Sequence, residues 1–478
     1  MTSSCLYTDL YQLTMAQGYF LEGMQDRSAS FSMHFRRVPF KGCYCVFCGI
    51  GSFLNLLRDF TFEEDDIEYL STVRDGSGTK IFDKKFLDYL KDFDLKVDIY
   101  SPDEGELVFP YEPIVRVDGP ILQCQLLETM LLNFVNFETL VATKAARLVS
   151  VAKGRGIAEF GLRRAQGLGG LSVARASYIG GFASTSNVMA GKIYGIPVSG
   201  THAHSWVMSH DTEIQAFEKY AEYFPTNSTL LIDTYDIDEG IKNAIRVGLE
   251  MKKRGQALSG VRIDSGDLTW CSRKVRAALD EAGLNDVKIV LSNDLDEYKI
   301  QSLLDEGACV DAFGVGTRVA CCMEEPTLGG VYKLNAIECE NGKMKPTMKV
   351  SESPEKVTIP GVLNIERFYD ENGLLAGDMI FDEQNETRSD IIIDPVHPMR
   401  SKKLAYANSS TLIKKQVSAG QIIWDDDIDD ARSRTSSSLD KIDYTHKRLI
   451  YPHLYPVGIE ENLSKRRDEI IKRVRHNA

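Results

Sequence analysis

The sequence predicts an α/β protein whose central part closes into an irregular (β/α) barrel. Three observations carry this. Between residues 137 and about 320, short apolar strand segments alternate with amphipathic helices, and such repeated units build a parallel sheet. The six or seven units favour a closed or nearly closed barrel over an open sheet. Polar and charged residues gather just after the strand segments, on the face where a barrel carries its chemistry. The flanks read differently. Residues 1–136 form a mixed α and β N-terminal domain, 137–328 the barrel domain, and 329–478 a β-rich segment with a terminal helix.

The 478 residues, 43% hydrophobic and 26% charged, are enough for a large core and more than one domain. A net charge of −13, with basic residues clustered only at the extreme C-terminus, argues against a nucleic-acid partner. It leaves room for small anions, because a few arginines in a cleft override the mean field locally. No apolar run approaches the ~18 residues of a membrane helix, and no secretory pattern opens the chain. Ten scattered cysteines suit a reducing, cytoplasmic setting. Cys43, Cys45 and Cys48 raise the thought of a zinc knuckle, but no second ligand cluster has matching spacing, and a strand or turn lined with small hydrophobes is expected.

In chain order, Tyr7 to Phe20 reads as an opening helix. Glu106 to Val117 reads as two short strands, with Pro110 and Pro113 marking the turn between them. The barrel strands are expected at Ile157–Phe160, Ile196–Ser199, Thr229–Ile232, Gly260–Ile263, Lys288–Leu291 and Val310–Phe313, with a further short one near Tyr178–Ile179. One helix carries Ile241, Ala244, Ile245, Gly248 and Leu249 on a face. Another carries Leu268, Cys271, Val275, Ala278 and Leu279 and stops at Gly283, a left-handed cap. Asp294 with Glu297 resembles a capping box for the next helix. After Gly329-Gly330, strands are expected at Val331–Ile337, Phe368–Tyr369, Met379–Phe381 and Ile391–Ile393. Residues 425–438 read as a solvated loop, and a charged helix begins at Glu460.

The polar residues follow the strands one after another. Glu159, Phe160, Arg163 and Arg164 close the first, and Thr201, His202 and His204 follow the second. Asp233 and Asp236 follow the third, Arg262 and Asp264 end the fourth, and Asn293 and Asp294 follow the fifth. Gly314-Val315-Gly316-Thr317-Arg318 follows the sixth. Gly314 and Gly316 would allow backbone N–H groups to approach phosphate oxygens, and Thr317 adds a hydroxyl. Arg262 can hold a carboxylate or phosphate bidentately, and Phe160 offers a plane to a flat ring. Asp264 can sit beside a developing cation or carry Mg²⁺. Asp236 and Asp294 are equally well read as helix N-caps. His202-x-His204 also suits a metal-dependent barrel hydrolase, but no histidine lies between His210 and His397 to complete such a centre. A non-catalytic binding scaffold stays open as well.

Six stretches together resemble the nicotinate phosphoribosyltransferase family. They are Thr8-Asp9-Leu10-Tyr11-Gln12-Leu13-Thr14-Met15, Glu159-Phe160-Gly161-Leu162-Arg163-Arg164, Gly200-Thr201-x-Ala203-His204-Ser205, Leu231-Ile232-Asp233-Thr234-Tyr235-Asp236, Val261-Arg262-Ile263-Asp264-Ser265-Gly266-Asp267 and Phe313-Gly314-Val315-Gly316-Thr317. The resemblance covers nearly the whole chain. It implies a type II phosphoribosyltransferase fold, a barrel beside an α/β domain built from both chain ends. It further implies nicotinate, phosphoribosyl pyrophosphate and ATP as substrates, with Mg²⁺ held mainly by their phosphates. His204 would be a phosphohistidine and Asp264 a catalytic carboxylate. Tyr11, Thr201 and Arg262 would contact nicotinate, Phe160 would stack on it, and Arg163 and Thr317 would bind the phosphoribosyl substrate. Tyr11 would cross the interface of a homodimer with shared active sites. Nicotinamide is the alternative base. The family varies at the position of His202, which is expected to have no role.

Overall fold

The computed structural model describes residues 4–385 and 388–477. They divide into two compact units, Met1–Leu140 with Thr327–Ala478, and Val141–Pro326. The helix Glu128–Val151 runs across the chain division. Among the described residues no helix is long and apolar enough to cross a membrane.

The second unit is the barrel. Strands β1 (Gly156–Glu159), β2 (Ser184–Thr185), β3 (Thr229–Leu231), β4 (Gly260–Ile263), β5 (Lys288–Asn293) and β6 (Ala312–Val315) form one parallel sheet in the order β2-β1-β6-β5-β4-β3. Its core is the aliphatic set that the short strands supply, with Ile157, Leu230, Val261, Ile263, Ile289, Leu291 and Phe313 all buried. The expected strand at 196–199 shrinks to a single parallel bridge, Val198 to Thr185. Pro197 has no N–H to extend a ladder, though its carbonyl accepts from Thr185 N at 3.0 Å. Tyr178–Ile179 is no strand. It ends helix α1 (Gly169–Ile179), and the extra strand is β2.

Between the strands lie α2 (Val188–Tyr194), α3 (His204–Met208), α4 (Glu213–Tyr223), α5 (Ile237–Lys253), α6 (Leu268–Glu281), α7 (Glu297–Asp305) and α8 (Thr317–Ala320). The buried stripe of α5 is Gly240, Ile241, Ala244, Val247, Gly248 and Met251, so Leu249 falls to the solvent side of the expected face. α6 buries Leu268, Cys271, Val275 and Leu279 as its spacing predicts, and Gly283 follows it at φ +72°. The cap of α7 is Asp296, which accepts from Lys299 N, and not Asp294.

The first unit holds two large mixed or antiparallel sheets and a two-stranded one that pairs Cys45–Val46 with Leu107–Val108. One runs Met344–Pro346, Val331–Glu338, Ser28–His34, Val115–Pro120, Asp98–Ser101, Lys414–Ser418 and Gln421–Ile422. The other runs Ser401–Lys403, Ile391–Ile393, Val457–Glu460, Leu375–Asp382, Leu363–Tyr369 and Asn408–Thr411. In the first of these sheets three N-terminal strands therefore lie between strands from the C-terminal part of the chain. The opening helix spans Leu10–Leu21 and the last one Glu461–Asn477. Residues 425–438 are not a loop, because Ile428–Asp440 is helical. Asp427 caps it by accepting from Asp430 N, and Asp429 and Asp430 favour its positive end. Small residues let it pack: Ala431, Thr435 and Ser438 are buried, and a side chain on Gly105 (φ +90°) would meet Ala431 O at 2.1 Å.

Candidate active site

The C-terminal ends of β1, β3, β4, β5 and β6 bring most of the expected residues to one place. The centre is Arg262 on β4. Its Nε donates to Ser292 Oγ at 2.7 Å, its Nη1 to Thr201 Oγ1 at 3.0 Å and its Nη2 to Asp264 Oδ1 at 2.8 Å. Ser292 Oγ also donates to Asp264, which closes a small ring of polar contacts. A guanidinium has five N–H donors, so two remain for an incoming anion. The Arg262 Cζ lies 5.3 Å from the centroid of the Phe160 ring, within cation–π range. One cation, one aromatic plane and one hydroxyl thus face the same space, a set suited to a flat, carboxylate-bearing ring.

Gly314 departs from its expected use. It lies inside β6 rather than after it, and a Cβ there would sit 2.5 Å from Phe160 Cε2. The missing side chain is the room that the Phe160 ring occupies. Gly314→Ala should displace that ring and lower stability by about 1–3 kcal/mol through overpacking; the thermal unfolding midpoint checks this. Gly316 precedes α8, and a Cβ on it would meet Phe160 O at 3.0 Å. Thr317 and Arg318 open α8. Arg318 pairs with Asp294 at 2.7 Å and Glu324 at 3.2 Å. Glu324 in turn meets the buried Lys144, which with Arg147 holds the buried Glu297. This ion network anchors the turn that carries Thr317.

The two histidines separate. His204 is the first residue of α3, half-buried, and its Nδ1 lies 3.1 Å from Thr234 Oγ1. His202 is buried, with Nε2 accepting from Leu231 N at 3.1 Å and Nδ1 3.4 Å from Ala203 O. Their ring nitrogens serve different partners, so the pair does not form a shared metal site. Burial holds the His202 pKa down at about 4, from an ordinary 6.5. Below pH 6.5 the unfolded chain takes up a proton that folded His202 refuses until about pH 4. Its contribution to stability is therefore complete above 6.5 and declines as pH falls through that window. Unfolding midpoints at pH 7 and pH 4.5 should show a smaller loss in His202→Gln than in the unmodified chain.

The remaining residues sort by contact. Asp233 Oδ2 accepts from Asp264 N at 2.8 Å and Ser265 Oγ at 2.6 Å, while its Oδ1 is buried with no hydrogen-bond partner. Asp236 is the N-cap of α5, accepting from Asp238 N and Glu239 N. Glu159 is buried, accepts from Thr185 Oγ1 at 2.6 Å and from Gly161 N, and burial raises its pKa. It ties β1 to β2 rather than facing the open end. Asn293 has φ +144°, a strained conformation for a residue with a side chain. Arg163 is exposed on the turn after β1. Tyr11 belongs to the other unit, exposed on the first turn of the helix Leu10–Leu21. Ser292 and Thr234 are the contacts that sequence reasoning missed. Ser292 lies two residues beyond Val290, which is paired with Arg262, so strand alternation turns both to one face.

Cys43, Cys45 and Cys48 are fully buried and diverge: Cys43 Sγ is 3.6 Å from His446 Nδ1, and Cys48 Sγ is 3.7 Å from Glu138 Oε2. Among the described residues the one group of three close metal-type donors is Cys48, Glu104 and Glu138, in the first unit.

Three family models match the chain: the nicotinate phosphoribosyltransferase N-terminal domain over residues 6–136, the nicotinate phosphoribosyltransferase family over 156–384, and the C-terminal domain over 364–467. A nicotinate phosphoribosyltransferase of Bacillus subtilis is 42% identical over 467 residues, covering 96% of this chain and 94% of the relative. The human protein of that name is 34% identical, covering 96% and 95%. The crystal structure of human nicotinic acid phosphoribosyltransferase superposes with a TM-score of 0.85 at 31% identity, over 97% of this chain and 99% of that one. A nicotinate-nucleotide pyrophosphorylase from Pyrococcus furiosus shares the fold, with a TM-score of 0.69 at 21% identity.

Proposed function

This chain belongs to the nicotinate phosphoribosyltransferase family, and from that premise we propose that it joins nicotinate to phosphoribosyl pyrophosphate with the help of ATP. The nicotinate ring nitrogen forms a bond to the ribose C1 as the C1–O bond to pyrophosphate breaks, giving nicotinate mononucleotide and pyrophosphate. This places the protein in NAD salvage. The observation that carries the reading is Arg262 beside Phe160, with two N–H groups left for a carboxylate. A neutral carboxamide would bring no charge to the two remaining guanidinium N–H groups, and charge-assisted hydrogen bonds are the stronger ones, which favours nicotinate over nicotinamide. Thr201 fixes the guanidinium and contacts the base.

Positive charge grows on the ribose as pyrophosphate departs, and Asp264 is the carboxylate beside Arg262 to stabilise it. The phosphoribosyl group is held by Arg163, the turn at Gly316 and Thr317. The site fits Mg²⁺ carried mainly on the substrate phosphates: the buried Asp233 Oδ1, without a hydrogen-bond partner, offers one oxygen from the chain. When bound, Mg²⁺ would neutralise the leaving pyrophosphate.

ATP enters through His204. The Thr234 hydroxyl at Nδ1 fixes the ring with Nε2 free. Nε2 takes the γ-phosphoryl group, ADP leaves, and water later releases phosphate. The added negative charge at the barrel opening biases the surrounding loops, a local electrostatic switch. A homodimer with Tyr11 reaching the partner's site is supported by an exposed apolar row, Tyr7, Leu10, Tyr11 and Met15. The ten cysteines scattered along the chain suit a cytoplasmic enzyme.

The deciding assay measures pyrophosphate and mononucleotide from nicotinate and from nicotinamide, each with and without ATP and Mg²⁺. The proposal expects nicotinate to be preferred and ATP to stimulate. Preference for nicotinamide would overturn the base assignment, and no pyrophosphate under any condition would overturn the reaction.

A further inference from the structure

The barrel sheet is open between its two edge strands, and one side chain sits at the opening. In the parallel pairing of β3 with β4, Ile232 N donates inward to Arg262 O at 3.1 Å. The preceding N–H, that of Leu231, therefore points away from β4, where a further strand would supply a carbonyl. Among the described strands none does. The acceptor is His202 Nε2, at 3.1 Å. The segment that carries it is bound to the opposite edge, through Thr185 N to Pro197 O and Ser199 N to Thr185 O, each 3.0 Å. Residues 197 to 202 thus link both edges, by backbone at β2 and by an imidazole at β3.

We propose that His202 is a positioning residue, whose neutral imidazole replaces the missing strand carbonyl at the barrel seam and thereby sets the base-binding and phosphoryl-accepting groups on either side of it. Thr201 Oγ1 donates to His202 O at 3.0 Å and accepts from Arg262, so the Arg262 guanidinium is located partly by where His202 is held. His204, two residues on, reaches Thr234, three residues past Leu231, where the strand that His202 grips ends. The clamp therefore fixes both halves of the His204–Thr234 contact. Only an acceptor serves here, which requires the Nδ1-protonated tautomer with Nδ1 toward Ala203 O. The ring is supported by Tyr220, edge-on at 4.7 Å, and by Phe217 at 6.1 Å. Charged groups that act on it are Arg262 and His204, and both disfavour the protonated ring.

The kinetic part rests on the reaction proposed above; the structural part does not. Three chains are compared: unmodified, His202→Leu, which keeps the apolar packing without an acceptor, and His202→Gln, which restores one. Hydrogen exchange followed by mass spectrometry reads the Leu231 amide without substrate. It should exchange about tenfold faster in His202→Leu, the effect of one lost hydrogen bond, and return toward the unmodified rate in His202→Gln. With nicotinate, KM should rise about tenfold in His202→Leu while kcat falls less, because binding groups are displaced before reacting ones, and His202→Gln should recover most of the loss. Nitrogen NMR of ¹⁵N-histidine-labelled, unmodified protein should show a ring protonated at Nδ1 that disappears in His202→Gln. An Nε2-protonated ring, an unchanged Leu231 exchange rate, or unchanged KM in His202→Leu would overturn the proposal. Should His202→Leu fail to fold, the tautomer and the glutamine variant still decide it. A protein inactive on nicotinate but showing the tautomer and the exchange pattern would overturn the reaction and not the clamp.

Discussion

Arg262→Ala is expected to lower kcat/KM for nicotinate by about 10²–10³, the usual loss on removing one preorganised charge-stabilising donor. The size follows from the contacts. The guanidinium side chain is 17% exposed and meets Ser292, Thr201 and Asp264 at 2.7 to 3.0 Å. Its removal takes away the substrate's counter-charge and also leaves Asp264 as an uncompensated negative group beside the base site. Arg262→Lys keeps a charge but not the planar fork, so recovery should be partial. Nicotinamide never uses the counter-charge, so its turnover should fall much less, and the preference between bases should collapse. Measuring kcat/KM for both bases in the three proteins checks this. A preference for nicotinate that survives Arg262→Ala would show that another group reads the carboxylate.

His204→Ala should abolish the stimulation by ATP and the ATP hydrolysis that accompanies product formation, while leaving the slower reaction without ATP. The chain should still fold: His204 is half-buried at the start of a five-residue helix, and its side chain meets Thr234. Losing one such hydrogen bond costs about 0.5–1.5 kcal/mol, so the unfolding midpoint should fall only slightly. Transfer of label from γ-³²P-ATP to an acid-labile, alkali-stable protein adduct should vanish. Thr234→Val tests the orientation separately. Without the hydroxyl at Nδ1 the tautomer is no longer fixed, and labelling should slow by about tenfold or more rather than disappear. ATP coupling that persists in His204→Ala would assign the phosphoryl carrier elsewhere.

Much of the fold was legible because its signals are local. Gly260–Ile263 and Ile391–Ile393 are strands as expected, and Gly283 caps its helix, since apolar period and a left-handed glycine depend on near neighbours. The errors came where a distant partner overrides local character. Residues 425–438 look solvated, yet fold as a helix because Gly105 leaves space for it. Asp294 resembles a cap, yet pairs with Arg318, leaving Asp296 to cap the helix.

Most of the barrel's order of strand and helix, the family and the end of the barrel that gathers polar groups are therefore properties of the sequence by itself. The tertiary structure decided what each gathered side chain touches. Gly314 makes room for Phe160, Ser292 joins Arg262 to Asp264, and His202 accepts from a strand edge. These partners lie 28 to 30 residues apart where they are hydrogen-bonded, and their donors and acceptors meet only once parallel strands are in register and the seam has closed. A hydrogen bond needs about 3 Å and the right angle, and no residue type or spacing along the chain specifies that.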